Sequence, residues 1–168
     1  MRDSAQMSKV PSVKFERLLP GPIERVWQHL TDTKLLPGWF GHGTIEPRAG
    51  GVVNFLDGHI RGIVTQWRPP HRLAYTWNVF DRGSSPDAVS PYPESYLSFT
   101  LEPRGTEVLL TLSHVPILDR FEKQNAMGWH TFLDMIGAAL RGEKVEDRGF
   151  YARKNAALYG VDLDNLVR

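Results

Sequence analysis

The chain has 168 residues, a formal net charge of +1 and 23% charged residues. This length suits a single domain, and the balanced, scattered charge argues against nucleic acid as a partner. The sequence contains no cysteine, which excludes disulfides, thiolate metal sites and cysteine nucleophiles and fits a reducing cytoplasm. No secretory signal and no apolar run of membrane-spanning length is visible, so we expect a cytoplasmic protein without membrane insertion.

The N-terminal third predicts a strand followed by two short helices. Residues 1–12 are polar and are expected to form a flexible tail, and residues 13–19 alternate as a strand does. The next helix carries apolar residues at helical spacing from Ile23 to Leu30. A second short helix should then be interrupted by the Pro-Gly pair at 37–38.

The dipeptide Asp-Gly at 57–58 lies between two apolar runs, which is typical of a two-residue type I′ hairpin turn. Such a turn pairs Phe55 with Ile60 and Val53 with Gly62, so these four residues share one face of the sheet. That face is apolar and is predicted to point into the core. Because Gly62 has no side chain, open space is predicted beside it.

Three more strands are predicted over residues 73–79, 95–103 and 106–115. Residues 80–94 contain three prolines and turn residues, so they predict a long mobile loop at the mouth of a cavity. The stretch 127–141, "MGWHTFLDMIGAALR", reads as the long helix that covers the sheet.

The long helix is predicted to bury one side and to expose Asp134 on the other. A further helix should run from Asp147, as its N-cap, to Gly160, as its stop. Strands in a meander followed by one long helix define an α+β class.

Several stretches together resemble the START-like superfamily, also called SRPBCC or helix-grip. They are similar in particular to the branch named after the activator of the heat-shock chaperone ATPase. The stretches are "RLLPGPIERVWQHLTD", "LLPGWFG", "RAGGVVNF", "RGIVTQWRPPHRLAYTW", "LSFTLEPRGTEVLLTLSH" and "GWHTFLDMIGAAL".

The resemblance implies a helix-grip fold, in which a curved antiparallel sheet wraps a long C-terminal helix and an apolar cavity often lies between them. It assigns the domain to residues 13–142 and leaves residues 143–168 as a C-terminal extension. The resemblance leaves three functions open, because a shared fold does not assign one. They are binding of a small hydrophobic or amphipathic ligand, regulation of a chaperone ATPase, and a cyclase, dehydratase or hydrolase activity.

We favour ligand binding without catalysis, in a monomer or homodimer. No cofactor, metal site or catalytic residue is predicted, since the six histidines lack the spacing of metal ligands. His114 is interpreted first as a strand-end residue bonded to backbone or water, and second as an inward-pointing pocket residue. The residues predicted to line the cavity are Trp39, Phe55, Gly62, Tyr75, Trp77, Phe99, His114, Trp129, Leu133 and Ile136.

Overall fold

The computed structural model describes residues 4–168. Their strands are β1 (Val13–Pro20), β2 (Gly43–Ile45), β3 (Val52–Phe55), β4 (Ile60–Arg68), β5 (Arg72–Val79), β6 (Ser95–Arg104) and β7 (Glu107–Val115). Their α-helices are α1 (Ile23–Thr31), α2 (Glu122–Leu140) and α3 (Arg148–Tyr159).

The strands form one antiparallel sheet in the order β1-β7-β6-β5-β4-β3-β2. The sheet is curved and does not close into a barrel. The buried side of α2, including Leu133 and Ile136, joins the same core as Leu97, Leu110 and Leu112 of the sheet. The predicted α+β helix-grip fold is therefore confirmed.

The β3–β4 hairpin has the predicted register, with Val53 opposite Gly62 and Phe55 opposite Ile60. Its turn has the predicted left-handed backbone, since φ is 56° at Asp57 and 80° at Gly58. Leu56, just before the Asp-Gly pair, also has a positive φ of 54°, so the loop between β3 and β4 comprises residues 56–59 and is longer than the two residues predicted. The register on either side of it sets which side chains of both strands face the core.

The predicted helices differ from the observed ones mainly at their ends. The second short helix is a 3-10 turn, Leu36–Gly38, because Pro37 and Gly38 do not support a longer helix. Helix α2 begins at Glu122, ahead of the stretch singled out in the sequence, directly after a 3-10 turn at Asp119–Phe121. Helix α3 begins after Asp147, whose carboxylate accepts a hydrogen bond from the Phe150 amide at 2.9 Å.

Gly62 is buried on the inner face, but the open space predicted beside it does not exist. A Cβ atom at this position would lie 1.8 Å from the carbonyl oxygen of Thr76 on β5. The Thr76 hydroxyl also accepts a hydrogen bond from the Ile63 amide at 2.8 Å. Glycine is needed here because the main chain of β5 comes so close, and the prediction that Gly62 lines a cavity is wrong.

Asp134 does not face water as predicted, because α3 covers it. Its carboxylate accepts hydrogen bonds from the Arg17 guanidinium at 2.8 Å and from the Asn155 side-chain amide at 3.0 Å. Burial opposes ionisation, but the hydrogen bonds from Asn155 and Arg17 outweigh it and lower the pKa of Asp134. The C-terminal extension is thereby joined to the domain through a polar network.

Candidate functional site

The centre of the molecule, between α2 and the sheet, is closed. Five predicted cavity residues, Trp39, Phe55, Tyr75, Phe99 and Trp129, surround a space there that has no room for a water molecule. The space is filled by Phe40, which the sequence analysis did not select. The centroid of its ring lies 5.0 Å from that of Phe55 and 4.8 Å from that of Phe132. The cavity predicted at this place is therefore replaced by an aromatic cluster.

An open cleft of about 250 Å³ lies instead beside the N-terminal end of α2. Its walls come from the ends of β5 to β7, the loop after β5, the segment before α2 and the first turn of that helix. The lining residues are Trp77, Val79, Tyr92, Pro93, Ser95, His114, Pro116, Ile117, Leu118, Phe121 and Asn125. We call this space the main cleft.

A second, shallower space of about 180 Å³ adjoins the main cleft. Trp77, Phe121 and Asn125 line both spaces and so form the wall between them. Gly128 of α2 lies in this side cleft, and no heavy atom is within 4 Å of the position that its Cβ would take. Among Gly62 and the two glycines of α2, Gly128 and Gly137, it is Gly128 that has open space at the position of its Cβ.

The predicted site residues therefore separate into groups. Trp77 and His114 line the main cleft, and Trp129 lines the side cleft. Leu133 and Ile136 are fully buried in the core. The residues missed in the sequence are chiefly Ser95, Tyr92, Phe121 and Asn125. Of these, Ser95 had a signal, because it alternates with the inward-facing residues of β6.

A chain of hydrogen bonds runs under the main cleft. The indole N–H of Trp129 donates to Nδ1 of His114 at 3.0 Å. Nε2 of His114 and Oγ of Ser95 are 2.8 Å apart, and the Ser95 hydroxyl donates to the Trp77 carbonyl at 2.9 Å. An indole N–H can only donate. Nδ1 of His114 is therefore the acceptor, and Nε2 carries the proton and donates to Ser95.

His114 is almost fully buried, with 2% of its surface exposed. Burial lowers its pKa from 6.5 to about 4, because the charged imidazolium is costly to desolvate. His114 lies near the end of β7 but bonds to the side chains of Ser95 and Trp129, and not to backbone or water as the first interpretation had it. Its ring points inward, as in the second interpretation, and a role toward a ligand stays a prediction. The ring stacks edge-on against Trp77 and Trp129, with centroids 5.5 and 5.9 Å away.

The distance between Ser95 and His114 would suit a nucleophile and its general base, but the proton is on the wrong nitrogen. A base must accept the hydroxyl proton through an unprotonated Nε2. Here the Trp129 donor places the proton on Nε2, and a pKa of about 4 makes His114 a weak base. Burial also raises the pKa of Tyr75 far above its usual range. Neither His114 nor Tyr75 is therefore suited to acid–base catalysis at neutral pH.

The loop at 80–94 borders the main cleft through Tyr92, whose ring meets that of Phe121 edge-on at 5.7 Å. Its middle is held by Arg61 of β4. The Arg61 guanidinium donates to the carbonyls of Ser84 at 2.9 Å and Ser85 at 2.8 Å. The position of the loop agrees with the prediction, and its mobility stays a prediction.

The C-terminal extension covers the other side of the aromatic cluster. Nη2 of Arg148 donates to the carbonyl of Phe40 at 2.8 Å. Its guanidinium carbon also lies 4.5 Å from the centroid of the Phe132 ring. Burial lowers the pKa of Arg148, yet the guanidinium stays charged. Residues beyond 142 thus help to hold Phe40 in the centre of the fold.

Two properties of the described chain bear on the class of protein. Within residues 4–168, no group of three or more His, Asp or Glu side chains is placed to hold a metal ion. Over the same range, every helix is too short or too polar to cross a membrane.

A curved antiparallel sheet around a long C-terminal helix, with an apolar cleft at one end of that helix, defines a helix-grip domain. The sequence pattern of the family described as "Activator of Hsp90 ATPase homolog 1-like protein" matches residues 20–141. The chain belongs to this family. The match ends before α3, so the C-terminal extension lies outside it.

Solved structures agree on the fold. CalU16 from Micromonospora echinospora is 23% identical over 89% of this chain and 86% of its own, with a TM-score of 0.70. PFC0360w, an HSP90 activator from Plasmodium falciparum, is 19% identical over 78% of this chain and 96% of its own, with a TM-score of 0.63. The Aha1 dimer from Colwellia psychrerythraea is 18% identical over 77% of this chain and 96% of its own, with a TM-score of 0.60. Among curated proteins, none matches significantly.

Proposed function

We propose that this protein binds a small apolar or amphipathic molecule in the main cleft, beside the N-terminal end of α2. The observation that carries the proposal is the cleft itself: about 250 Å³, walled by apolar and aromatic side chains, with a buried polar group at its floor. Ligand sites are commonly concave and apolar with a few placed polar groups, at roughly 300–1,000 Å³. A cleft slightly smaller than this range suits a molecule of one or two rings.

Asn125 offers the sharpest test, because it lies in the wall that both clefts share. Asn125→Trp should fill both spaces from a half-buried position on α2. Lys123→Trp is the matched control, since Lys123 is exposed on the same helix and lines neither cleft. Titration with the neutral fluorescent probe Nile red should show saturable binding to the wild type and to Lys123→Trp, and loss of binding to Asn125→Trp. Equal binding by the two variants would contradict a site in these clefts.

Regulation of a chaperone ATPase is the second candidate, favoured by the family match and by the likeness to PFC0360w. In this case a protein surface, and not the cleft, is the functional feature. The test is the rate of ATP hydrolysis by Hsp90 with and without this protein, together with co-sedimentation of the two. Stimulation that survives Asn125→Trp would support chaperone regulation independently of a ligand.

We also propose a cytoplasmic location and a monomeric or homodimeric state. The cysteine-free sequence suits a reducing compartment. Fractionation of cells and light scattering of the purified protein test these two points.

A further inference from the structure

The main cleft and the side cleft differ from other grooves of the surface in the charge of their lining residues. In the part of the chain that the structure describes, no Asp, Glu, Lys or Arg side chain lines the main cleft or the side cleft. The remaining grooves differ: one beside α1 contains Glu24 and Glu107, and one near the C-terminus contains Arg120 and Lys123 among others. A buried anion or cation is costly unless a partner charge meets it. A carboxylate or phosphate therefore has no cationic side chain to meet it in the lining of the main cleft.

The hydrogen-bond chain fixes what the floor of the main cleft can offer. Its direction is set at one end by the indole of Trp129, which has a donor and no acceptor. His114 consequently donates to Oγ of Ser95, and the Ser95 proton is used in the bond to the Trp77 carbonyl. One lone pair of the Ser95 oxygen is left, and Ser95 lines the cleft. The Ser95–His114 pair thus presents an acceptor and no free donor, while the Tyr92 hydroxyl and the Asn125 amide lie in the walls of the cleft.

We infer that the main cleft selects an uncharged ring compound that carries an O–H or N–H donor, which hydrogen-bonds to Oγ of Ser95. The inference rests on the proposed function and adds the chemical class of its ligand. A flat compound suits the walls, where Trp77, Tyr92 and Phe121 present aromatic surfaces. Fatty acids and other carboxylates are disfavoured because no cationic side chain lines the cleft, and ethers and ketones lose the bond to Ser95.

Three probes with one ring system test this inference on the wild-type protein. They are 2-naphthol, which is neutral and has a donor, 2-methoxynaphthalene, which is neutral and has none, and 2-naphthoate, which is an anion at neutral pH. Calorimetric titration should rank them in that order. A hydrogen bond of ordinary net strength predicts that 2-naphthol binds roughly 3- to 10-fold more tightly than the methoxy compound. The chemical shift of the Trp129 indole N–H should move on binding, because that group starts the chain.

Two variants separate a contact with Ser95 from a general loss of structure. Ser95→Ala should abolish the preference for 2-naphthol over 2-methoxynaphthalene while both still bind. Trp129→Phe removes the donor that fixes the direction of the chain, so the proton of His114 can move to Nδ1. The single Ser95 proton then goes to Nε2 of His114 or to the Trp77 carbonyl, and in either case Ser95 remains an acceptor toward the ligand. This variant should therefore keep the preference for 2-naphthol over 2-methoxynaphthalene that Ser95→Ala loses. Thermal melts establish that each variant is folded before it is titrated.

The outcomes distinguish the inference from the proposed function. Failure of all three naphthalene probes and of Nile red to bind would overturn the proposed function. A second outcome is that Nile red and the naphthalenes bind, but 2-naphthol and 2-methoxynaphthalene bind equally well or 2-naphthoate binds most tightly. That outcome would overturn the role of Ser95 and leave a less selective cleft.

Discussion

Two glycines of this protein face opposite surroundings, and the same substitution at each should change stability in opposite directions. Gly62 lies against the main chain of β5, and Gly128 lies in open space on α2. We therefore compare Gly62→Ala with Gly128→Ala, which add an identical methyl group.

The structure sets the size of both effects. The added Cβ at position 62 would lie 1.8 Å from the carbonyl oxygen and 2.8 Å from the carbonyl carbon of Thr76, so strand β5 must move by more than an ångström. Such overpacking costs about 1–3 kcal/mol. Loss of the bond from the Ile63 amide to the Thr76 hydroxyl adds about 1 kcal/mol. At position 128 the methyl group meets nothing within 4 Å, and alanine gains about 1 kcal/mol of helix propensity over glycine.

The two variants should thus differ by about 3–5 kcal/mol in free energy of unfolding, with the wild type between them. Denaturation in urea, followed by circular dichroism, measures this difference. Equal slopes of the free energy of unfolding against urea concentration would show that the unfolded states are comparable. An unchanged midpoint for Gly62→Ala would refute the close approach of β5, and a destabilised Gly128→Ala would refute the open side cleft.

Three further predictions follow from the aromatic cluster, the buried histidine and the loop. Phe40→Ala should lower the free energy of unfolding by about 3–5 kcal/mol and create saturable binding of an apolar probe at the centre of the fold, whereas an undiminished midpoint would show that Phe40 fills no space. The pKa of histidine is 6.5 in the unfolded chain, and burial lowers the pKa of His114 to about 4 in the folded protein. Between these two pH values the unfolded chain takes up a proton and folded His114 does not. The free energy of unfolding should therefore decrease by about 3 kcal/mol as pH falls from 6.5 to 4, and His114 should cause no change above pH 6.5. A nuclear magnetic resonance titration that finds His114 titrating near 6.5 would contradict this. Arg61→Ala should free the middle of the loop, seen as faster hydrogen exchange at residues 82–88 with unchanged exchange in β6. Equal exchange in both proteins would show that the contacts of Arg61 with the carbonyls of Ser84 and Ser85 do not hold the loop.

The fold could be predicted because its signals are local. The Asp-Gly turn at 57–58 fixes a register, and alternation then assigns each residue of β3 and β4 to a face. The same reasoning misread Gly62, since alternation gives the direction of a side chain and not the distance to the next strand. That distance depends on how β4 and β5 bend together, and the pairing between them is irregular after Val64.

The site could be predicted only in part, for a different physical reason. Trp77 and Trp129 were both predicted to line one cavity between the sheet and the long helix, and their ring centroids lie 5.3 Å apart. Phe40, however, reaches the centre from an irregular segment after a 3-10 turn, where no periodicity indicates its direction. The space was therefore expected where Phe40 lies. Alternation along β6 indicates that Ser95 points inward, but its hydrogen bond to His114 joins two strands, and spacing along the chain does not record that bond.

The contact of Arg148 with Phe40 links the interior to a segment that the family pattern does not cover. Residues 20–141 alone would leave the Phe40 carbonyl without its guanidinium partner and the Phe132 ring without the cation above it. An appended helix can in this way keep the space between α2 and the sheet closed without altering any residue there. Relatives with the same domain but different tails are then expected to differ in how tightly this centre is packed, and exchanging tails between them becomes a means of changing that packing.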